Sequence, residues 1–315
     1  MTLRALVSTV TLLLFACGGG AGEQSGDGEQ AHDSGTTIWA ISQPDRSVSV
    51  IDAESARILA RIRLGFRSDP RALVHYRGSV WVGSSGGALQ RLDTRSLSLA
   101  DTFALDMDVW ALAAAEHGLY AMDAEYPRLT RHDPVSGERL QTHAVAGRIH
   151  AMAAGSDAAV LVLGDRRELH LYHPGVTEPQ VVPGEPGAGD MVSGFGSLWI
   201  YHPDGALVRL DATAGTVQAR IELPPDLYFP GLAVGEDALW VSVMETSEVL
   251  AVSPAENTVM RRIGVTGSPG HLAATPGALW VALPQDDALV RIDAVSGEET
   301  ARVGVEYATR LIAVR

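Results

Sequence analysis

One unit of about 40 residues recurs seven times from Ile38 onward, and it constrains the fold more than any other feature of the chain. Two landmarks define it. The first is a short apolar run, usually with tryptophan at its centre. Trp39, Trp81, Tyr120, Leu161, Trp199, Trp240 and Trp280 follow one another at intervals of 42, 39, 41, 38, 41 and 40 residues. The second landmark closes the next run, mostly with aspartate. Asp52, Asp93, Asp133, His173, Asp211, Ser253 and Asp293 are spaced by 41, 40, 40, 38, 42 and 40 residues. Two independent landmarks on one such period identify the four-stranded blade of a β-propeller, which cannot bury its faces alone and stacks against its neighbours. The expected fold is all-β: a seven-bladed β-propeller of four-stranded antiparallel blades over residues 36–315.

Within each unit, four apolar or alternating runs bounded by turns give strands A to D from the channel outward. In the last unit they fall at 271–274, 278–283, 288–293 and 299–305. The aspartate ending strand C opens the turn to D, as in Asp133-Pro134-Val135-Ser136-Gly137. Its short carboxylate accepts backbone amides along the turn, and glycine supplies the positive φ. These acids are therefore turn formers, not a metal site. The first unit has no strand A before Ile38, whereas 310–314 has the strand A pattern with no further strands after it. The C-terminal segment is expected to complete blade one and remove an open edge.

The leading residues read differently. Arg4 and the apolar run from Leu6 to Ala16, too short to span a bilayer, make residues 1–16 a signal peptide. Leu14-Phe15-Ala16-Cys17 resembles the bacterial lipobox, which implies lipid attachment at Cys17. This is the only cysteine, so it has no disulfide partner. Gly18 after it implies the outer membrane. Residues 17–35 are small and polar, with little to bury, and are expected to be a disordered tether. The expected location is the bacterial cell envelope, with the propeller in the periplasm or at the cell surface and membrane contact through the lipid only.

Composition removes several chemistries. All 24 basic residues are arginine, so neither a Schiff-base lysine nor a P-loop is available. A formal charge of −14 repels nucleic acid.

The last unit, Gly277-Ala278-Leu279-Trp280-Val281 followed by Leu289-Val290-Arg291-Ile292-Asp293-Ala294-Val295-Ser296-Gly297, is similar to the repeat of the YVTN/YncE-type bacterial propellers. The similarity covers residues 38–315. It implies an exported protein with an envelope or binding role more often than a defined catalysis. A weaker similarity runs to the streptogramin lyases, which share Gly-x-Leu-Trp. Their Trp-Phe-Thr-Glu is replaced here by Trp-Val, Trp-Ile or Trp-Ala.

In this connectivity the D–A and B–C loops share one face, and strand A lines the channel. Superposing the units leaves six residues that break a small, apolar pattern at the channel mouth: Arg71, Trp110, His150, Asp190, His271 and Arg310. The D–A loops add Arg67, Asp69, Asp108, Arg148, Tyr228, Phe229 and Tyr307. Polar groups converging on a concave mouth are the default ligand site. His150 and His271 can approach across the channel with Asp190 between them in blade order, but no metal is assigned. His170 and His173 lie on opposite faces of one strand. The Gly-x-Ser-x-Gly pattern at 83–87 joins two strands, where a nucleophile elbow needs a strand-to-helix turn. Asn257, the only asparagine, falls in a C–D turn on the opposite face. That counts against a lactonase-type metal site.

The expectation is a monomeric, non-enzymatic binding or scaffold propeller without a cofactor. It presents its top face and channel mouth to a protein, peptide or glycan partner. The alternative is a propeller enzyme, lyase-like or lactonase-like, acting at the mouth. A third reading is a subunit of a larger envelope assembly.

Overall fold

Branched and aromatic side chains alternating with small polar ones favour a pleated, half-buried backbone, and strand is what the described residues form. The computed structural model describes residues 35–65, 69–115, 118–123, 125–145, 149–154, 160–164, 168–173, 176–183, 191–202, 204–224 and 231–315. The expected signal peptide, Cys17 and nearly all of the tether lie outside the described residues. One short 3₁₀ turn, Pro284–Asp286, is the helical exception among them.

The strands pair into seven four-stranded antiparallel sheets, numbered here in chain order. In sheet seven the strands are Leu272–Thr275, Ala278–Leu283, Ala288–Asp293 and Glu299–Gly304, in that spatial order. Sheet one is built differently. Its order is Ala308–Val314, Thr37–Ser42, Ser47–Asp52 and Ile58–Arg63, so its innermost strand comes from the end of the chain. Trp39 pairs with Ile312 and Ala40 with Leu311. Ala308–Val314 also touches the innermost strands of sheet seven and of sheet two, Asp69–Tyr76. The architecture is an all-β propeller of four-stranded antiparallel blades.

Packing between sheets is organised by the repeated tryptophan. Trp39 packs with Val80 and Val82 of sheet two, Trp81 with Leu119 of sheet three, and Trp199 with Leu239 of sheet six. Trp240 packs with Val281 of sheet seven, and Trp280 with Ile38 of sheet one. None of the five is more than 5% exposed. Burying an aromatic of this size contributes about 4 to 6 kcal/mol from its area. Arginine staples the rims. Arg209 stacks over Trp199 at 5.0 Å, and its Nη1 donates to Pro254 O (2.6 Å) and Asn257 Oδ1 (3.0 Å) in the next sheet.

The acids ending strand C build the turns. Asp133 Oδ1 accepts the amides of Val135 (2.9 Å) and Ser136 (2.7 Å), and Asp293 Oδ1 those of Val295 (2.9 Å) and Ser296 (2.7 Å). These amide bonds hold the carboxyls of Asp93, Asp133, Asp211 and Asp293 below the usual carboxylate range. At the outer edge, strand D carries a register shift against strand C in sheets one, two, three, five, six and seven. A bulge there twists the edge away from pairing with another chain.

Candidate functional site

Five of the innermost strands, those of sheets one, two, three, four and seven, begin with a second set of bulges. In sheet two Pro70 pairs with Ser84 and Ala72 with Gly83, which leaves Arg71 as the extra residue. Trp110 is the extra residue between Val109 and Ala111 in sheet three, and His150 between Ile149 and Ala151 in sheet four. Thr309 has the same place between Ala308 and Arg310 in sheet one. In sheet seven Gly270 N–H donates to Ala282 O (2.8 Å) while Ala282 N–H donates to His271 O (2.9 Å), so two residues share one partner. A bulge bends the strand and re-aims a side chain that regular alternation would point elsewhere. Five of the six pattern-breaking residues, Arg71, Trp110, His150, His271 and Arg310, therefore sit at or beside a repeated backbone irregularity.

Four of the six predicted residues line one cavity. Arg71, Trp110, His271 and Arg310 surround a space of about 220 Å³ at the start of the innermost strands. The Arg71 guanidinium lies over the Trp110 ring, 5.4 Å from its centroid. Trp110 is 45% exposed, unlike its repeated counterparts. His271 Nδ1 accepts the N–H of Leu311 (3.1 Å), which leaves the neutral ring's hydrogen on Nε2. His150 is in the strand Ile149–Ala154, whose backbone alone is described there, and Asp190 lies outside the described residues.

Two acids at the same face are occupied. Asp69 Oδ1 accepts Arg46 Nε (2.8 Å), and Asp108 Oδ1 accepts Gly86 N–H (2.7 Å). Tyr307 N–H donates to Asp287 Oδ1 (3.0 Å). Arg67, Arg148, Tyr228 and Phe229 lie outside the described residues. Gly231 matters for closeness: a Cβ there would meet Gly270 O at 2.7 Å, so glycine lets the inner strands of sheets six and seven approach.

Sequence reasoning missed the apolar wall. Met122, Met152, Met191 and Leu232 line the same cavity as the polar groups. The repeat hid them, because apolar residues at regular positions look like ordinary core.

The remaining motifs fall to structure. Ser84 of the Gly-x-Ser-x-Gly pattern is fully buried in the strand Ser79–Ser85, so no elbow exists. His170 is buried with Tyr172 on one face of the strand Glu168–Tyr172, and His143 approaches Tyr172 at 4.6 Å between ring centroids. Burial pushes the Tyr172 hydroxyl up to about 12 and His143 down. Among the described residues, no three His, Cys, Asp or Glu side chains are grouped to hold a metal ion.

No protein-family model and no curated protein matches the sequence. Solved structures do match. AztD from Citrobacter koseri superposes with a TM-score of 0.64 at 12% identity, covering 89% of this chain and 97% of that one. The dihydro-heme d1 dehydrogenase NirN, in complex with DHE, gives 0.63 at 16% identity over 87% of this chain and 74% of its own. The computationally designed protein Ika8 gives 0.65 at 14% identity over 89% and 91%. At such identities the likeness shows the propeller fold alone.

Proposed function

We propose that this chain is an envelope-anchored, non-enzymatic binding propeller that engages its partner at the channel mouth. The observation that carries the reading is the convergence of Arg71, Trp110, His271 and Arg310 on one cavity. An exposed tryptophan beneath a guanidinium has no structural task in a repeat whose other tryptophans are buried. Trp and Arg are the residues most often energetically dominant in interfaces.

We read the ring as seven blades of YncE type, closed by the C-terminal strand in blade one. Seven sheets and the pairing of Ala308–Val314 with Thr37–Ser42 support that reading. Lipidation at Cys17, with cleavage after residue 16 and a tether to residue 35, supplies the anchor, most simply in the outer membrane. The enzymatic alternative is weakened by Asn257, whose Oδ1 is engaged by Arg209 in a C–D turn. A solved propeller neighbour holds a bound molecule, DHE, so ligand seating is compatible with the fold.

The test is capture from solubilised envelopes with the lipidated full chain, comparing wild type with Trp110→Ala and Arg310→Ala. Loss of a captured component in both variants is expected. Equal capture by all three proteins overturns the assignment of the mouth.

A further inference from the structure

We infer that the channel mouth binds a carboxylate carried on an apolar group, an inference that rests on the binding reading above. Among the described residues the cavity has two unlike sides. Arg71, Arg310 and His271 come from the adjacent sheets two, one and seven, and Trp110 extends this arc into sheet three. The described lining from sheets four to six is apolar, with Met152, Met191 and Leu232 facing the space.

Arg71 determines the sign of the ligand. Its Nε is buried and has no hydrogen-bond partner among the described residues. Among the described residues, the acids in its own loop and the next have other partners, Asp69 with Arg46 and Asp108 with the Gly86 amide. The guanidinium lies over the Trp110 ring, 5.4 Å from its centroid, and the edge of its planar fork suits a planar acceptor. A carboxylate matches that edge with two parallel N–H···O bonds. A neutral sugar carries no such charged, planar acceptor.

Volume sets the size of the apolar part. An apolar cavity of roughly 150 Å³ accepts benzene. The 220 Å³ here takes one ring or branched chain together with its acid group, not a folded surface. Two sources supply that chemistry: a free aryl or alkyl acid, and the C-terminal residue of a peptide.

The experiment is calorimetric titration of the full chain with 3-phenylpropionate and its amide, and with Ala-Ala-Ala-Phe bearing a free or an amidated C-terminus. Each acid should bind at least about tenfold more tightly than its amide, the usual margin for a charge-assisted bond. Arg71→Gln should abolish that margin, and Trp110→Phe, which keeps a stacking face, should retain most of it. Tighter binding of the peptide acid than of 3-phenylpropionate names a chain terminus as the source, and the reverse order names a free acid. Equal affinity for acid and amide, no binding of any probe, or a margin unchanged by Arg71→Gln overturns the inference. If envelope capture still depends on Trp110 in those cases, the mouth stands and only its ligand class falls.

Discussion

The turn from strand C to strand D places one residue, four beyond the one that ends strand C, in a left-handed conformation, and six of these turns fill that position with four residue types. Ala56 (φ 58°), Leu97 (φ 49°), Gly137 (φ 70°), Gly215 (φ 68°), Asn257 (φ 55°) and Gly297 (φ 78°) all occupy it. A side chain in this region costs roughly 1–2 kcal/mol, partly offset by about 0.4–1 kcal/mol because alanine restricts the unfolded chain more than glycine. Gly297→Ala should therefore destabilise by about 1 kcal/mol, since its new Cβ meets Ile263 no closer than 3.3 Å. Gly137→Ala carries the same backbone cost plus a collision, because Cβ would lie 2.2 Å from Phe103 Cγ. Phe103 stacks on the buried Trp81 at 6.0 Å, so it cannot retreat freely. Overpacking adds about 1–3 kcal/mol, for a total near 2–4 kcal/mol. Ala56→Gly should instead stabilise, by up to about 1 kcal/mol. Urea denaturation of the three variants at constant m-value measures all of this. Equal losses for Gly137→Ala and Gly297→Ala, or a loss on Ala56→Gly, would refute the reasoning.

Other outcomes follow from burial and charge. Trp280→Ala, at a fully buried seam, should cost about 3–5 kcal/mol. Trp110→Ala should cost under about 1 kcal/mol, the value of its cation–π contact, and a thermal melt separates the two. Leu311→Ala should cost about 2–5 kcal/mol if the terminal strand is integral to sheet one, and near zero if it merely leans there. Burial lowers His132 and His143 from 6.5, so the fold favours their neutral forms and the unfolded chain binds more protons below that value. Their stability contribution is full above pH 6.5 and is lost as pH falls through the lowered folded values. His143→Gln and His132→Gln together should flatten the urea midpoint between pH 6.5 and 5, and an unchanged slope would exclude these groups as its cause.

The strand boundaries were legible because each unit states its own punctuation. The last unit's expected runs at 278–283 and 288–293 match Ala278–Leu283 and Ala288–Asp293, since an acid, a turn and a glycine delimit them without help from distant residues. The mouth was legible in part. Arg71, Trp110, His271 and Arg310 announced themselves by departing from a small, apolar repeat. What the repeat concealed was the bulge at Arg71 and Trp110, because one extra residue leaves the apolar pattern of the flanking strand intact. The wall of Met122, Met152 and Met191 was equally silent. Whether an apolar residue faces a seam or the channel depends on where each blade sits about the axis, which no local pattern records. The seam holding His143, His170 and Tyr172 was unreadable for the same reason: its polar groups meet only because strands from sheets three and four stack.

The claim that function resides where the repeat breaks is tested most directly by photocrosslinking in intact envelopes. A benzophenone side chain would be placed at Trp110 in one protein, and in another at Val295, a 78% exposed tip of a C–D turn away from the mouth. A discrete adduct from position 110 with none from position 295 is the predicted result. Adducts from 295 alone, or the same adducts from both positions, would contradict it.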